Sequence, residues 1–232
     1  MRRMAFIISL TIIMFVGAGI GVAQEQDLEN LQVGITTATQ LLVDVPVTHF
    51  EDADSWVVDM PIDQGVVIAM RREGRPLEVP EVDPNDGTTN KYVLGVKVMF
   101  NQRGYAAFSI RPPKPIKIPG ITKALSVWVV GRSFRHRLYA HVLDYKGREM
   151  VLDMGLLDFA GWKKINIAIP TSIEQENYHN MEWRGISFAG FTIVCNPEDT
   201  YGDYYVYFDE LRAVTDIYIE EHRDEDDMQD GW

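Results

Sequence analysis

The stretch Ile186-Ser187-Phe188-Ala189-Gly190-Phe191-Thr192-Ile193 reads as a strand that changes face halfway along. Its large apolar residues are even-numbered up to Phe188 and odd-numbered from Phe191. Successive side chains of an extended chain point to opposite faces, so a run that switches parity must absorb one extra residue. A β-bulge does this, and Gly190 is the residue placed to form it. The segment therefore predicts a bent strand with one face in a core.

Neighbouring segments carry the same period. Tyr92, Leu94, Val96, Val98 and Phe100 share one parity, and Ala106, Phe108 and Ile110 continue it beyond Asn101-Gln102-Arg103-Gly104, which reads as the turn of a hairpin. Leu125, Val127 and Val129 alternate with Ser126 and Trp128; Leu138, Ala140 and Val142 with Tyr139 and His141; Ile165, Ile167 and Ile169 with Asn166 and Ala168. Tyr204 to Val214, rich in aromatic and β-branched residues, makes a last strand. The run Arg111-Pro112-Pro113-Lys114-Pro115-Ile116-Lys117-Ile118-Pro119-Gly120 cannot be a central strand, because each proline removes a ladder donor; it reads as an extended strap. Many short strands at even spacing predict a mainly β chain, a single jelly-roll-like antiparallel β-sandwich of the galactose-binding-like kind. The expected domain runs over 45–216, with a polar segment of helical potential at 24–44 ahead of it and an acidic tail at 217–232 behind.

The 232 residues, 46% hydrophobic and 24% charged with 18 Gly and 11 Pro, are those of a folded protein, and they exclude disorder, collagen and a disulfide scaffold. Residues 1–23 read as an export signal: Arg2 and Arg3 lead an apolar run that ends in the small residues Gly21-Val22-Ala23, with cleavage expected after Ala23. Removing that segment leaves 20 basic against 34 acidic residues, a charge of −14, which repels nucleic acid and leaves no membrane anchor. The lone Cys195, flanked by Phe191-Thr192-Ile193-Val194, has no disulfide partner in the chain and reads as a small buried hydrophobe.

Catalytic signatures are missing from the sequence. The five histidines lack the spacing of a helical zinc pair, and there is no Gly-x-Ser-x-Gly elbow or phosphate loop. Glu51-Asp52-x-Asp54 and Asp199-x-x-x-Asp203 could place oxygens around calcium, but solvated turn carboxylates are the commoner use of such residues and the favoured reading here. No cofactor is expected. Trp56, Trp128, Trp162 and Trp183 lie in or beside predicted strands, where core packing explains them; sugar stacking is the other use of so many aromatics. Two basic clusters, Arg71-Arg72-x-x-Arg75 and Arg132-x-x-Arg135-His136-Arg137, are candidate contact patches, and Asp224, Glu225, Asp226 and Asp227 of the tail are their candidate acidic partners.

Several segments taken in order resemble the spirochaete flagellar filament outer layer (sheath) protein family, FlaA. They are Phe50-Glu51-Asp52-Ala53-Asp54-Ser55-Trp56, Met70-Arg71-Arg72-Glu73-Gly74-Arg75-Pro76, Lys91-Tyr92-Val93-Leu94-Gly95-Val96, Pro115-Ile116-Lys117-Ile118-Pro119-Gly120, Gly161-Trp162-Lys163-Lys164, Gly185 to Phe191, and Tyr207 to Asp216. The likeness runs from about residue 45 to about residue 228. It implies a periplasmic, non-enzymatic subunit that coats a flagellin core beside copies of itself and other sheath proteins, and that contributes to filament stiffness and curvature. The family carries no catalytic motif to transfer. A secreted carbohydrate-binding sandwich is the alternative that the aromatic content supports.

Overall fold

Alternation of apolar and polar residues becomes strand after strand in the computed structural model, which describes residues 36–37, 40–84, 86–177 and 180–217, with side chains at 41–84, 86–176 and 185–217. In chain order the strands are β1 (Thr36–Thr37), β2 (Gln40–Thr48), β3 (Val57–Asp59), β4 (Gly65–Glu73), β5 (Tyr92–Phe100), β6 (Ala106–Arg111), β7 (Ile116–Lys117), β8 (Ile121–Arg132), β9 (Arg137–Leu143), β10 (Glu149–Leu156), β11 (Ala160–Ala168), β12 (Glu176–Asn177), β13 (Asn180–Arg184), β14 (Ser187–Cys195) and β15 (Asp203–Asp216). The expected export segment and the acidic run at 224–227 lie outside the described residues. Thr36–Thr37 and Gln40–Thr48 are strands rather than helix, and β2 begins ahead of residue 45 because its backbone pairs with β15. Among the described residues no helix is long and apolar enough to cross a membrane.

Two antiparallel sheets face each other across one core. β15 is the axis of the larger sheet: its first half pairs with β5, its second half with β2, and β8 runs along its other edge. β4 extends the sheet beyond β5, and β11 beyond β8. The smaller sheet has the order β10-β9-β14-β6-β3, with the short β7 of the proline strap pairing with β14. This is the expected antiparallel β-sandwich.

The expected hairpin between β5 and β6 does not form. β5 pairs with β4 and β15 in the larger sheet, whereas β6 pairs with β3 and β14 in the smaller one. The chain between them is therefore an arch over the end of the core. Hydrogen bonds hold it there: Asn101 N donates to Gln64 O at 3.0 Å, Ala107 N to Gln64 Oε1 at 3.0 Å, and Gly104 N to Thr200 Oγ1 at 2.9 Å.

Gly190 is the bulge. The register of β14 against β9 shifts between Phe188 and Gly190, and that shift keeps Phe188, Phe191 and Ile193 on the buried side. At a φ of +136° a Cβ would be strained, and it would lie 2.5 Å from Ile110 O, so only glycine fits. The aromatic rings this frees for the core form a chain through it. Phe188 and Phe191 have centroids 4.9 Å apart, Phe191 stacks on Phe208 of the opposite sheet at 4.9 Å, and Phe50 packs on Trp56 at 4.9 Å. Cys195 is buried and unpaired, and burial pushes its thiol up to about 12, which leaves it chemically inert.

Candidate functional site: the outer face of the larger sheet

In β15 the residues alternating with the buried Tyr204, Val206 and Phe208 are Tyr205 and Tyr207, which stand half-buried on the outer face of the sheet. Pairing registers set what surrounds them. Lys97 lies opposite Tyr205 and Ile68 opposite Lys97; Val130 lies opposite Tyr207 and Trp162 opposite Val130. One row further, Lys164 pairs with Trp128 and Arg72 with Val93. The Arg132 guanidinium sits 5.9 Å from the Tyr205 ring centroid and 5.7 Å from that of Tyr207, within cation–π range. Lys97 Nζ lies 5.3 Å over Tyr205 and bonds Asp203 at 2.8 Å. Gly95 leaves room beneath: a Cβ there would meet Arg72 Cγ at 3.0 Å and Tyr207 Cε1 at 3.1 Å, so both side chains cross the space it vacates. At ordinary strand spacing and rise, the face measures about 20 Å by about 20 Å. Val66 and Ile68, 45% and 42% exposed, form its apolar rim. A contiguous surface of this kind marks an interaction site more often than scattered apolar residues do.

The two predicted arginine clusters do not survive as patches. Arg71 and Arg72 are successive strand residues and point to opposite faces. Arg71 lies over the Tyr92 ring at 4.5 Å and pairs with Asp54 at 3.3 Å, whereas Arg72 faces outward. Arg75 donates to Val79 O at 2.6 Å and faces Glu81. Arg135 is held by Glu198 and Asp199, and Arg137 by Asp153. Arg72 and Arg132 have no acidic partner among the described residues, and the sheet brings these two to one face. Trp128 and Trp162 correct a second expectation: Trp56 is a core residue, but these two are half-buried on the outer face, because their parity opposes that of Val127 and Ile165. The Trp183 side chain and the run Asp224 to Asp227 lie outside the described residues. The carboxylates that resembled calcium loops bind protein donors. Glu51 accepts from the Lys91 and Tyr92 amides, Asp52 from Ser55 and Trp56, Asp54 from the Arg71 amide, Asp199 from the Arg135 amide and Asp203 from Tyr205.

At the fork of β15, sequence reasoning missed a polar knot. β5 and β2 leave the same edge of β15 in opposite directions, and the register of β15 breaks at Asp209 and Glu210, where Glu210 adopts a φ of +46°. The fork is filled by charged and polar side chains. His49 Nδ1 donates to Glu210 Oε1 at 2.6 Å and Nε2 to Asp86 Oδ2 at 3.0 Å, so the ring holds both protons. Arg212 donates to Asp83, to Asp44 at 2.9 Å and to Glu210 at 3.2 Å. Asn90 Nδ2 reaches Asp209 at 3.2 Å and Glu210 at 2.9 Å. The hydrogen bond to Glu210, backed by Asp86, raises His49 to about 9. Burial pushes the Asp209 carboxyl up to about 8, so at neutral pH it is largely the protonated acid. His49, Asp83 and Asp86 place ligand atoms within 4.8 Å of one another, a spacing that suits a cation. Their charge is already met by the His49 imidazolium and the Arg212 guanidinium.

The model of a family described as "Flagellar filament outer layer protein Flaa" matches residues 22–223. A Brachyspira hyodysenteriae protein named as flagellar filament outer layer-like is 43% identical over 209 residues, 90% of this chain and 95% of its own length. Among solved structures, a carbohydrate-binding module of the β-sandwich superfamily aligns with a TM-score of 0.46 at 11% identity over 76% of this chain, which spans 63% of that structure. The family 11 carbohydrate-binding module of Clostridium thermocellum aligns with a TM-score of 0.42 at 12% identity, over 77% of this chain and 98% of its own.

Proposed function

The chain belongs to the FlaA flagellar filament outer layer protein family, and we propose that it is a sheath subunit coating the flagellin core of a periplasmic flagellar filament. The observation that carries this reading is the extent of the family match, which takes in the whole sandwich together with its exposed outer face. In this reading the protein is structural rather than catalytic, and its partners are the flagellin core, other sheath subunits and copies of itself. The physical character of the chain supports the role. A stiff, disulfide-free sandwich with a large negative charge stays dispersed during export and associates only where complementary surfaces meet. Such a coat adds bending stiffness to the filament and biases its curvature.

The test is fractionation of periplasmic flagella. The protein is expected to remain with detergent-resistant filaments, to begin at Gln24, and on deletion to leave filaments of altered curvature. The half-buried Trp128 and Trp162 beside Tyr205 and Tyr207 favour a second reading, a glycan-binding sandwich. Absence from the filament fraction together with retention on a glycan column would replace the first reading by the second.

A further inference from the structure

We propose that the outer face centred on Tyr205 and Tyr207 receives the acidic C-terminal segment, residues 217–232, of a second copy of this chain. The inference rests on the sheath reading only in that copies of the protein are its neighbours.

Charge is the first support. The three rows that hold Tyr205, Tyr207 and Trp128 also carry Arg72, Lys97, Arg132 and Lys164. The exposed acid at their margin, Asp203, is taken by Lys97 at 2.8 Å. On a mature chain of charge −14 this is a positive island. Residues 217–232 hold seven acids against one arginine, and they bring Ile217, Tyr218, Ile219 and Met228 as well. The segment thus matches the face twice, its carboxylates to the guanidinium groups and its apolar residues to the rim of Val66 and Ile68.

Direction is the second support. β15 runs away from the face, from Asp203 to Asp216. At ordinary strand rise its last residue lies roughly 30 Å along the strand from Tyr207. The described chain ends at Ile217, at the far end of that strand from the face, and the segment begins there. A contact between one copy's segment and the next copy's face is heterologous. Each subunit offers one of each, so the contact repeats along a row of subunits as a coat requires.

At Tyr205 and Tyr207, ring geometry favours this occupant over a glycan. The ring faces of Tyr205 and Tyr207 already carry Arg132, and that of Tyr205 also carries Lys97. They present fixed positive charge rather than open stacking platforms.

The test uses the full mature protein and sedimentation velocity at about 50 mM salt, where such pairing is little screened. A face variant carries Arg72→Gln and Arg132→Gln; a tail variant carries Asp224→Asn, Glu225→Gln, Asp226→Asn and Asp227→Asn. Wild type is expected to form an open series of oligomers, and each variant to associate at least about tenfold more weakly. An equimolar mixture of the two variants should recover complexes, and these should stop at two subunits, since one intact face and one intact segment meet once. That recovery also shows that both variants are folded. Wild-type association in either variant alone overturns the proposal, and so does a mixture that stays monomeric. A monomeric wild type also overturns it, by leaving the segment no second copy to bind. No filament takes part in the assay, so protein that passes it but stays off filaments refutes the sheath reading alone.

Discussion

Replacing His49 by Gln isolates the one imidazolium in the fork of β15. The ring donates from both nitrogens, at 2.6 Å to Glu210 and at 3.0 Å to Asp86, and these bonds raise it from an ordinary value of 6.5 to about 9. At about 1.36 kcal/mol for each tenfold change in proton affinity, that rise is about 3.4 kcal/mol of preference for the charged ring in the folded state. Asp86 is 35% exposed, and solvent screens its share. Screening brings the contribution to about 2–3 kcal/mol. Because the folded value lies above the unfolded one, this stability is complete below pH 6.5 and is lost as pH rises through about 9. Asp209, raised to about 8 by burial, also erodes stability as pH climbs toward that value, but it does so in both proteins and largely cancels in the difference. Urea unfolding of wild type and His49→Gln at about pH 6.0, 7.5 and 9.5 should therefore show a gap of about 2–3 kcal/mol that closes to under about 1 kcal/mol at the highest pH. A gap independent of pH would refute the argument, by showing that His49 acts through shape and not through its charge.

Three further expectations follow from single residues. Gly190→Ala sets a Cβ 2.5 Å from Ile110 O at a φ of +136°. It should lower stability by about 2–4 kcal/mol in thermal unfolding, and a neutral change would mean that β14 pairs without its bulge. Cys195→Ser should cost about 1–3 kcal/mol, for a hydroxyl in an apolar site, and should leave the band on a non-reducing gel unchanged. Intact mass of protein taken from cells should match a chain starting at Gln24; a mass that includes Arg2 and Arg3 would mean a retained anchor.

Alternation was enough to locate most strands, since a half-buried strand must repeat every second residue. It also located the bulge, because Phe188 and Phe191 reach one face only if a residue is added between them. Partnership is a different quantity. The polar turn at 101–104 suits a hairpin or an arch equally well, and what selects the arch is Gln64 and Thr200, both distant in the chain and both bonding the backbone of the turn or its exit. Non-local bonds of that kind leave no periodic trace. The polar knot escaped notice for a related reason: His49, Asp83, Asp86, Asn90 and Arg212 are scattered over the chain and converge only because β2 and β5 part from β15 at one point.

The outer face was, by contrast, available in the sequence and was obscured by proximity. Arg71 and Arg72 look like a pair, yet a strand separates neighbours and unites alternates, so Arg72 shares a surface with Tyr207 and not with Arg71. Parity applied to the aromatics gives the same result. Trp128 alternates against Val127 and Val129, and Tyr205 and Tyr207 against Tyr204, Val206 and Phe208, so burial of one set forces the other outward. A cluster of like charges in a β-rich chain should therefore be counted by face before it is counted by sequence. Counted that way, Arg71, Arg75, Arg135 and Arg137 are each spent on a nearby carboxylate, while Arg72 and Arg132 converge with Lys97 on the same two rings' surroundings. Lys97 is itself paired with Asp203, so the cations of this group that remain to meet a partner are Arg72 and Arg132, which sequence adjacency gave no reason to group with each other.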